Sequence, residues 1–152
     1  MGTNIHVFDK AKYHYEGDFP RHLHKSQASV HTGMYWGWIV DRALVSRVFE
    51  REAAECLRDF RERRITGAQC YDLLGGVLAS DMLKPEGRAF SRWYYELETG
   101  QYIWDYQKLL AGDLPSVYHV ADTWKNYAML SKVISRRYLR WRRKAGGATN
   151  PG

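Results

Sequence analysis

The chain has few of the features that commit a protein to a membrane, to export or to a disulfide-held fold. Its 152 residues include only two cysteines and four prolines, and no run reaches the roughly 18 apolar residues of a membrane-spanning helix. Residues 1–6 lack a basic region followed by an apolar stretch, so we expect no export signal. Cys56 and Cys70 fall on apolar helical faces, which favours small buried hydrophobic residues over a disulfide. The sequence therefore predicts a cytoplasmic protein.

Catalytic and cofactor-binding motifs are also missing. The chain contains no phosphate-binding loop or dinucleotide fingerprint, and Ser116 near His119 lacks the glycine frame of a nucleophile elbow. None of the six histidines shows the His-x-x-x-His or Cys/His spacing of a metal site, although His22 and His24 are close in sequence. We interpret His31, on an apolar face with Met34 and Tyr35, as a structural histidine. The sequence predicts no enzyme, no cofactor and no metal.

The positive charge of the chain lies in one segment. Seven of the 23 cations fall between Lys132 and Lys144, where there is no acid, so residues 1–131 hold 16 cations against 17 acids. Such a helix end is commonly only solubilising, because cations suit a helix C-terminus. Interleaved with aromatic rings, it also favours contact with nucleic acid, lipid or an acidic protein. The candidate nucleic-acid contacts are Arg136, Arg137, Arg140, Trp141 and Arg143.

Hydrophobic periodicity predicts a mainly α-helical fold. The clearest helix spans Ser46 to Arg64, and further amphipathic segments follow up to a last helix from about Asp122, capped by Asp122 or Thr123. We expect one compact domain over residues 1–145 with five to six helices. We expect residues 1–25 to form an extended arm with room for a short strand or hairpin, and residues 146–152 to form a disordered tail. Gly33 and Gly37 predict a groove where another backbone comes close.

Two clusters of aromatic residues and histidines, at residues 31–38 and 113–127, stand out. Bulky rings with polar tips build cores and also anchor partners. Trp36 lies off the face that Met34, Tyr35 and Trp38 share, so it is either packed by another element or exposed. Tyr118 and His119 follow Pro115 in a predicted loop, where recognition groups are common. The candidate partner-binding residues are Tyr15, Glu16, Asp18, Trp36, Tyr118, His119, Asp122 and Trp124.

Four blocks, at residues 13–20, 31–38, 85–90 and 114–127, resemble the signature blocks of a family of small, uncharacterised bacterial cytosolic proteins. Members of that family are similar to immunity proteins, which neutralise a toxin delivered by a type VI or related secretion system. The resemblance implies an immunity protein that binds a cognate toxin effector stoichiometrically, without catalytic residues. Glu16, Asp18 and Asp122 would offer an acidic patch for that contact. The alternative is a nucleic-acid-associated module that uses the basic C-terminal helix, and the oligomeric state is left open.

Overall fold

Helices make up most of the protein, together with one small sheet. The structure, a computed structural model, describes residues 4–149, with side chains described as far as residue 145. Within these residues the chain is 64% helical, which confirms the predicted mainly α fold. The described α-helices, more numerous than predicted, are α1 (Ala11–Tyr15), α2 (Val30–Asp41), α3 (Arg47–Glu52), α4 (Ala54–Arg61), α5 (Gly67–Leu73), α6 (Pro85–Tyr94), α7 (Tyr102–Tyr106) and α8 (Trp124–Thr149).

The N-terminal segment, predicted as an extended arm, forms a strand followed by a short helix. Strand β1 (Val7–Lys10) pairs antiparallel with β2 (Val77–Ala79), with Lys10 opposite Val77. Helix α1 follows directly, and the backbone N–H of Ala11 donates a hydrogen bond of 2.9 Å to the carbonyl oxygen of Gly76. Because β1 continues into α1 without a loop, the side chains of Asp9 and His14 lie side by side.

Helix α2 runs through the core, since every residue from Val30 to Val40 is buried. Trp36 is fully buried, and its indole N–H points at the sulfur of Cys70, 3.4 Å away. The prediction of Trp36 as a partner-binding residue is therefore wrong. A helix that is buried on all sides has no solvent-facing side. A residue outside the face shared by Met34, Tyr35 and Trp38 is therefore covered by another element of the fold.

Gly33 of α2 lies where a second backbone comes close, as predicted, whereas a Cβ atom on Gly37 would meet ring atoms of Phe60 and Tyr127. A Cβ atom added to Gly33 would lie 2.3 Å from the Cα of Ala68, and one added to Gly67 would lie 2.4 Å from the carbonyl oxygen of Gly33. No side chain fits at these distances, because carbon atoms in contact are about 3.5–4.0 Å apart. Glycine at both positions lets α2 and α5 pack backbone against backbone.

Two helix boundaries differ from the sequence predictions, and a third matches one of its two predicted caps. The helix predicted over Ser46 to Arg64 is divided at Ala53, whose φ of −107° and ψ of 20° are not helical. Helix α8 begins after Thr123, whose hydroxyl accepts the backbone N–H of Asn126, so Thr123 rather than Asp122 is the cap. The same helix continues to Thr149, where the sequence predicts a tail over residues 146–152. The last three residues of that predicted tail lie outside the described residues.

Candidate metal centre

Three elements bring one carboxylate and two imidazoles together in the interior. Asp9 comes from β1, His14 from α1 and His31 from the first turn of α2. The Nε2 atom of His14 lies 2.8 Å from Oδ1 of Asp9 and 3.2 Å from Nε2 of His31. The His31 nitrogen is 3.6 Å from the other carboxylate oxygen of Asp9. Asp9 and His31 are buried, and the side chain of His14 is 14% exposed, so the cluster reaches the surface only at His14.

Hydrogen bonding between the three side chains leaves one of these contacts unsatisfied. His14 Nε2 carries at most one proton, and Oδ1 of Asp9 at 2.8 Å is its best acceptor. With that proton donated to Asp9, His14 cannot also accept a proton from His31 Nε2 at 3.2 Å. The carboxylate oxygen 3.6 Å from His31 is too far away to replace this contact. Within the described part of the chain, Nδ1 of the buried His31 has no hydrogen-bond partner either.

The same distances suit a bound cation. The three candidate ligand atoms all lie within 4.8 Å of one another. In zinc sites each imidazole nitrogen lies about 2.0–2.1 Å from the metal. For N–Zn–N angles between about 90° and the tetrahedral value, two such nitrogens are roughly 2.9–3.4 Å apart. The observed separation of the two nitrogens is 3.2 Å. Asp9, His14 and His31 therefore have the chemistry and the spacing of a metal-binding set.

The ionisation states of the buried members also favour a cation. Burial on its own would raise the pKa of Asp9, but its hydrogen bond with His14 and its electrostatic interactions with His14 and His31 outweigh burial and hold that pKa below its usual value. Burial lowers the pKa of His31, against the opposing effect of Asp9. At neutral pH the site therefore holds a carboxylate and a neutral buried imidazole, which are the forms that bind metal ions.

Further side chains hold the carboxylate and one imidazole in place. The hydroxyl groups of Tyr95 and Thr32 donate to Oδ2 of Asp9, at 2.6 Å and 3.1 Å. The hydroxyl of Tyr118 lies 2.8 Å from Nδ1 of His14, on the side of the ring that faces away from Asp9. Hydrogen bonds of this kind to the outer atoms of the ligands are typical of metal sites, where they fix the orientation of each ligand.

Tyr118 connects the centre to a surface formed by two distant segments. Its ring centroid lies 4.9 Å from that of Phe19, and its backbone carbonyl accepts a hydrogen bond from the side chain of Gln27. Burial and the charges of Asp9 and Asp18 raise the pKa of Tyr118. Next to it, Nε2 of His119 lies 3.2 Å from Nε2 of His22. We call the surface formed by residues 16–24 and 116–119 the two-loop surface.

The two-loop surface contains several of the predicted partner-binding residues. Glu16 and Asp18 are exposed on one of its segments, and Tyr118 and His119 are half-buried on the other. Tyr15 borders it at the end of α1, where the ammonium group of Lys25 lies 4.1 Å from the centre of its ring. The structure thus brings together side chains that are about a hundred residues apart in the chain.

Asp122 and Trp124 serve contacts between other elements. The hydroxyl of Thr66 donates to Oδ2 of Asp122 at 2.6 Å, and burial raises the pKa of this carboxyl group. The indole of Trp124 lies against the ring of Phe60, and the guanidinium of Arg63 covers it at 4.8 Å. Both residues are half-buried and hold the start of α8 against α4 and α5.

The predicted nucleic-acid contacts divide into two groups. Arg136, Arg140 and Arg143 are exposed on α8. Arg137 makes two hydrogen bonds of 2.9 Å to the carboxylate of Asp105, and Trp141 packs on Phe90 with ring centroids 5.5 Å apart. Arg137 and Trp141 therefore hold α8 to its neighbours, and of the five predicted contacts Arg136, Arg140 and Arg143 remain exposed to solvent.

Sequence reasoning missed the centre because its members carry no common spacing. Asp9 and His14 were not candidates, and His31 was interpreted as structural. The available signal was weak: five of the six histidines lie in the first 31 residues, together with Asp9 and Asp18, and nothing in their spacing singles out three of them. Their convergence depends on the pairing of β1 with β2 and on the position of α2, which no local pattern encodes.

Comparison with known proteins gives a family and no function. No match is found among curated proteins or solved structures. None of the described helices has the length and apolar character needed to cross a membrane. Residues 7–120 match a family described as a domain of unknown function, DUF7832. The match contains the whole candidate centre, with Tyr95 and Tyr118, and excludes the basic end of α8. Because it covers well over half of the sequence, the chain belongs to the DUF7832 family.

Proposed function

We propose that this domain binds one divalent transition-metal ion through Asp9, His14 and His31. The observation that carries the proposal is the hydrogen-bond conflict at His14 Nε2, which faces both a carboxylate oxygen at 2.8 Å and an imidazole nitrogen at 3.2 Å. A cation in place of the single shared proton satisfies all three side chains at once, since each then points a lone pair at positive charge.

The donor set favours zinc. One carboxylate with two imidazoles suits borderline ions of the first transition row, and zinc accepts this combination in tetrahedral geometry. Three protein ligands leave a fourth position for water or another small ligand, which is the arrangement of zinc sites that carry out chemistry. Lewis-acid chemistry is therefore available to the domain, in contrast to the sequence expectation of a protein without metal or catalysis.

The direct test is zinc titration of chelator-treated protein without a polyhistidine tag. His14→Gln removes one ligand at a position that tolerates change, because the His14 side chain is partly exposed. We expect at least a tenfold weaker tight site in this variant. His24→Asn is the matched control, since it removes an imidazole outside the cluster and keeps an acceptor for the backbone N–H of Ser26. Equal affinity in wild type and His14→Gln, both folded by circular dichroism, would refute the proposal.

The two-loop surface favours a second function, neutralisation of a toxin by stoichiometric binding. The charge of Asp18 contributes to the raised pKa of Tyr118, whose ring lies 4.9 Å from that of Phe19. Aromatic residues next to polar groups are typical anchors of protein interfaces. Under this proposal the domain would cover or distort a cognate toxin effector, as the resemblance to immunity proteins implies.

Co-expression with a toxin encoded next to this protein tests the second function. We expect rescue of growth by wild type and loss of rescue when Asp18→Lys is combined with His119→Glu, because both changes alter the charge of the two-loop surface. The matched control is Arg140→Glu at an exposed position of α8, which should rescue fully. Growth arrest that persists with excess wild-type protein would contradict toxin neutralisation.

A further inference from the structure

Outside the buried centre, a second pair of imidazole nitrogens faces each other at the protein surface. Nε2 of His22 and Nε2 of His119 are 3.2 Å apart, and their ring planes are inclined by 40°. This is the same nitrogen–nitrogen distance as in the buried centre. The contact lies at an exposed position, with His22 exposed and His119 half-buried, so an ion from solution reaches the pair without any movement of the fold.

His119 is held in the orientation that metal binding needs. Its Nδ1 atom lies 2.8 Å from the hydroxyl oxygen of Ser116, and that oxygen also accepts the backbone N–H of Tyr118. With Oγ of Ser116 as acceptor, the proton of a neutral His119 sits on Nδ1 and the lone pair of Nε2 points at His22. Metal-binding histidines are usually fixed through their other ring nitrogen in this way.

We propose that His22 and His119 form an outer site for a divalent transition-metal ion, with water in the remaining positions. Imidazole pairs of this kind bind zinc, nickel and copper. The two ligands belong to the two segments of the two-loop surface, residues 16–24 and 116–119, so one bound ion cross-links them. Because Tyr118 also contacts His14 of the buried centre, the outer ion fastens the segment that covers the exposed edge of that centre.

Binding stoichiometry separates the outer site from the buried one. For untagged protein we expect two zinc ions in wild type, one tight and one weaker, and only the tight ion in His119→Ala. In His14→Gln we expect an unchanged outer site beside a buried site that is at least tenfold weaker. His24→Asn, in the same loop as His22, should keep both ions. Loss of the weaker ion only in His119→Ala and His22→Ala supports the outer site, whatever the result for His14→Gln. Unchanged stoichiometry in both outer variants would overturn the outer site and leave the buried centre to its own test.

Limited proteolysis measures the cross-link itself. Arg21 and Lys25 are exposed trypsin sites on either side of His22 and His24. Zinc should slow cleavage at Arg21 severalfold in wild type and in His24→Asn, and should not slow it in His22→Ala. Equal protection by zinc in wild type and His22→Ala would show that the ion does not join the two segments, and an ordinary hydrogen bond between the two imidazoles would then account for their distance.

Discussion

Replacement of Gly33 by alanine tests the backbone contact between α5 and α2, the helix that carries His31. The added Cβ would lie 2.3 Å from the Cα and 2.7 Å from the backbone nitrogen of Ala68. Backbone atoms do not rotate away, so the two helices must separate by more than about 1 Å to restore contact distances near 3.5 Å. Overpacking of this kind costs about 1–3 kcal/mol or more.

The helix propensity of alanine acts against this steric clash, because alanine stabilises a helix relative to glycine. Whether Gly33→Ala lowers or raises the free energy of unfolding therefore shows which effect is larger. Alanine in place of glycine in a helix is worth up to about 1 kcal/mol. We expect Gly33→Ala to lower the free energy of unfolding by about 2 kcal/mol, the clash exceeding the gain. Urea denaturation followed by circular dichroism measures this change. Gly37→Ala is the matched control on the same helix, because its Cβ would meet the side chain of Phe60 at 3.0 Å rather than a backbone, and a smaller loss is expected. A Gly33→Ala variant as stable as wild type would refute the contact.

Two further predictions concern ionisation and the basic helix. Burial raises the pKa of Tyr35, Tyr71, Tyr94, Tyr95, Tyr102 and Tyr106 above the usual 10.0. As the pH rises above 10, these tyrosines therefore lose their protons in the unfolded chain before they do so in the folded protein. Between neutral pH and pH 11 the free energy of unfolding falls by about 1.4 kcal/mol for each tyrosine, or by roughly 8 kcal/mol for all six. Alkaline titration should show phenolate absorbance rising together with loss of helix; gradual ionisation of a protein that stays folded would contradict it. On α8, Arg137→Ala should cost about 1–3 kcal/mol, because Asp105 loses its ion pair, whereas exposed Arg140→Ala should stay within about 0.5 kcal/mol. Urea midpoints measure both, and equal effects would refute the division of the basic residues.

Local patterns were sufficient for the helical character of the fold and for one tertiary contact. The recurrence of apolar residues predicted the helices, and Thr123 was one of two predicted caps of α8. Gly33 and Gly37 predicted a close backbone approach, because two glycines four residues apart lower helix stability unless packing requires them. Each of these signals lies within a few residues of the feature that it predicts.

Features that depend on long-range packing could not be predicted in the same way. Trp36 was predicted as a partner-binding residue, since the spacing of apolar residues along a helix does not show that α2 is covered on all sides. The division of the helix at Ala53 has no glycine or proline to mark it. Arg137 resembles its basic neighbours in the sequence, and only the position of Asp105 makes it structural. The candidate centre joins residues 9, 14 and 31 through strand pairing and helix position, which a spacing rule does not detect.

The most direct test of the central claim is an anomalous-scattering map, recorded at the zinc absorption edge, of a crystal of the chelator-treated protein soaked in zinc. The account predicts a peak bonded to Asp9, to Nε2 of His14 and to Nε2 of His31. A map of the zinc-soaked protein with intact side chains and no peak at these three residues would contradict it.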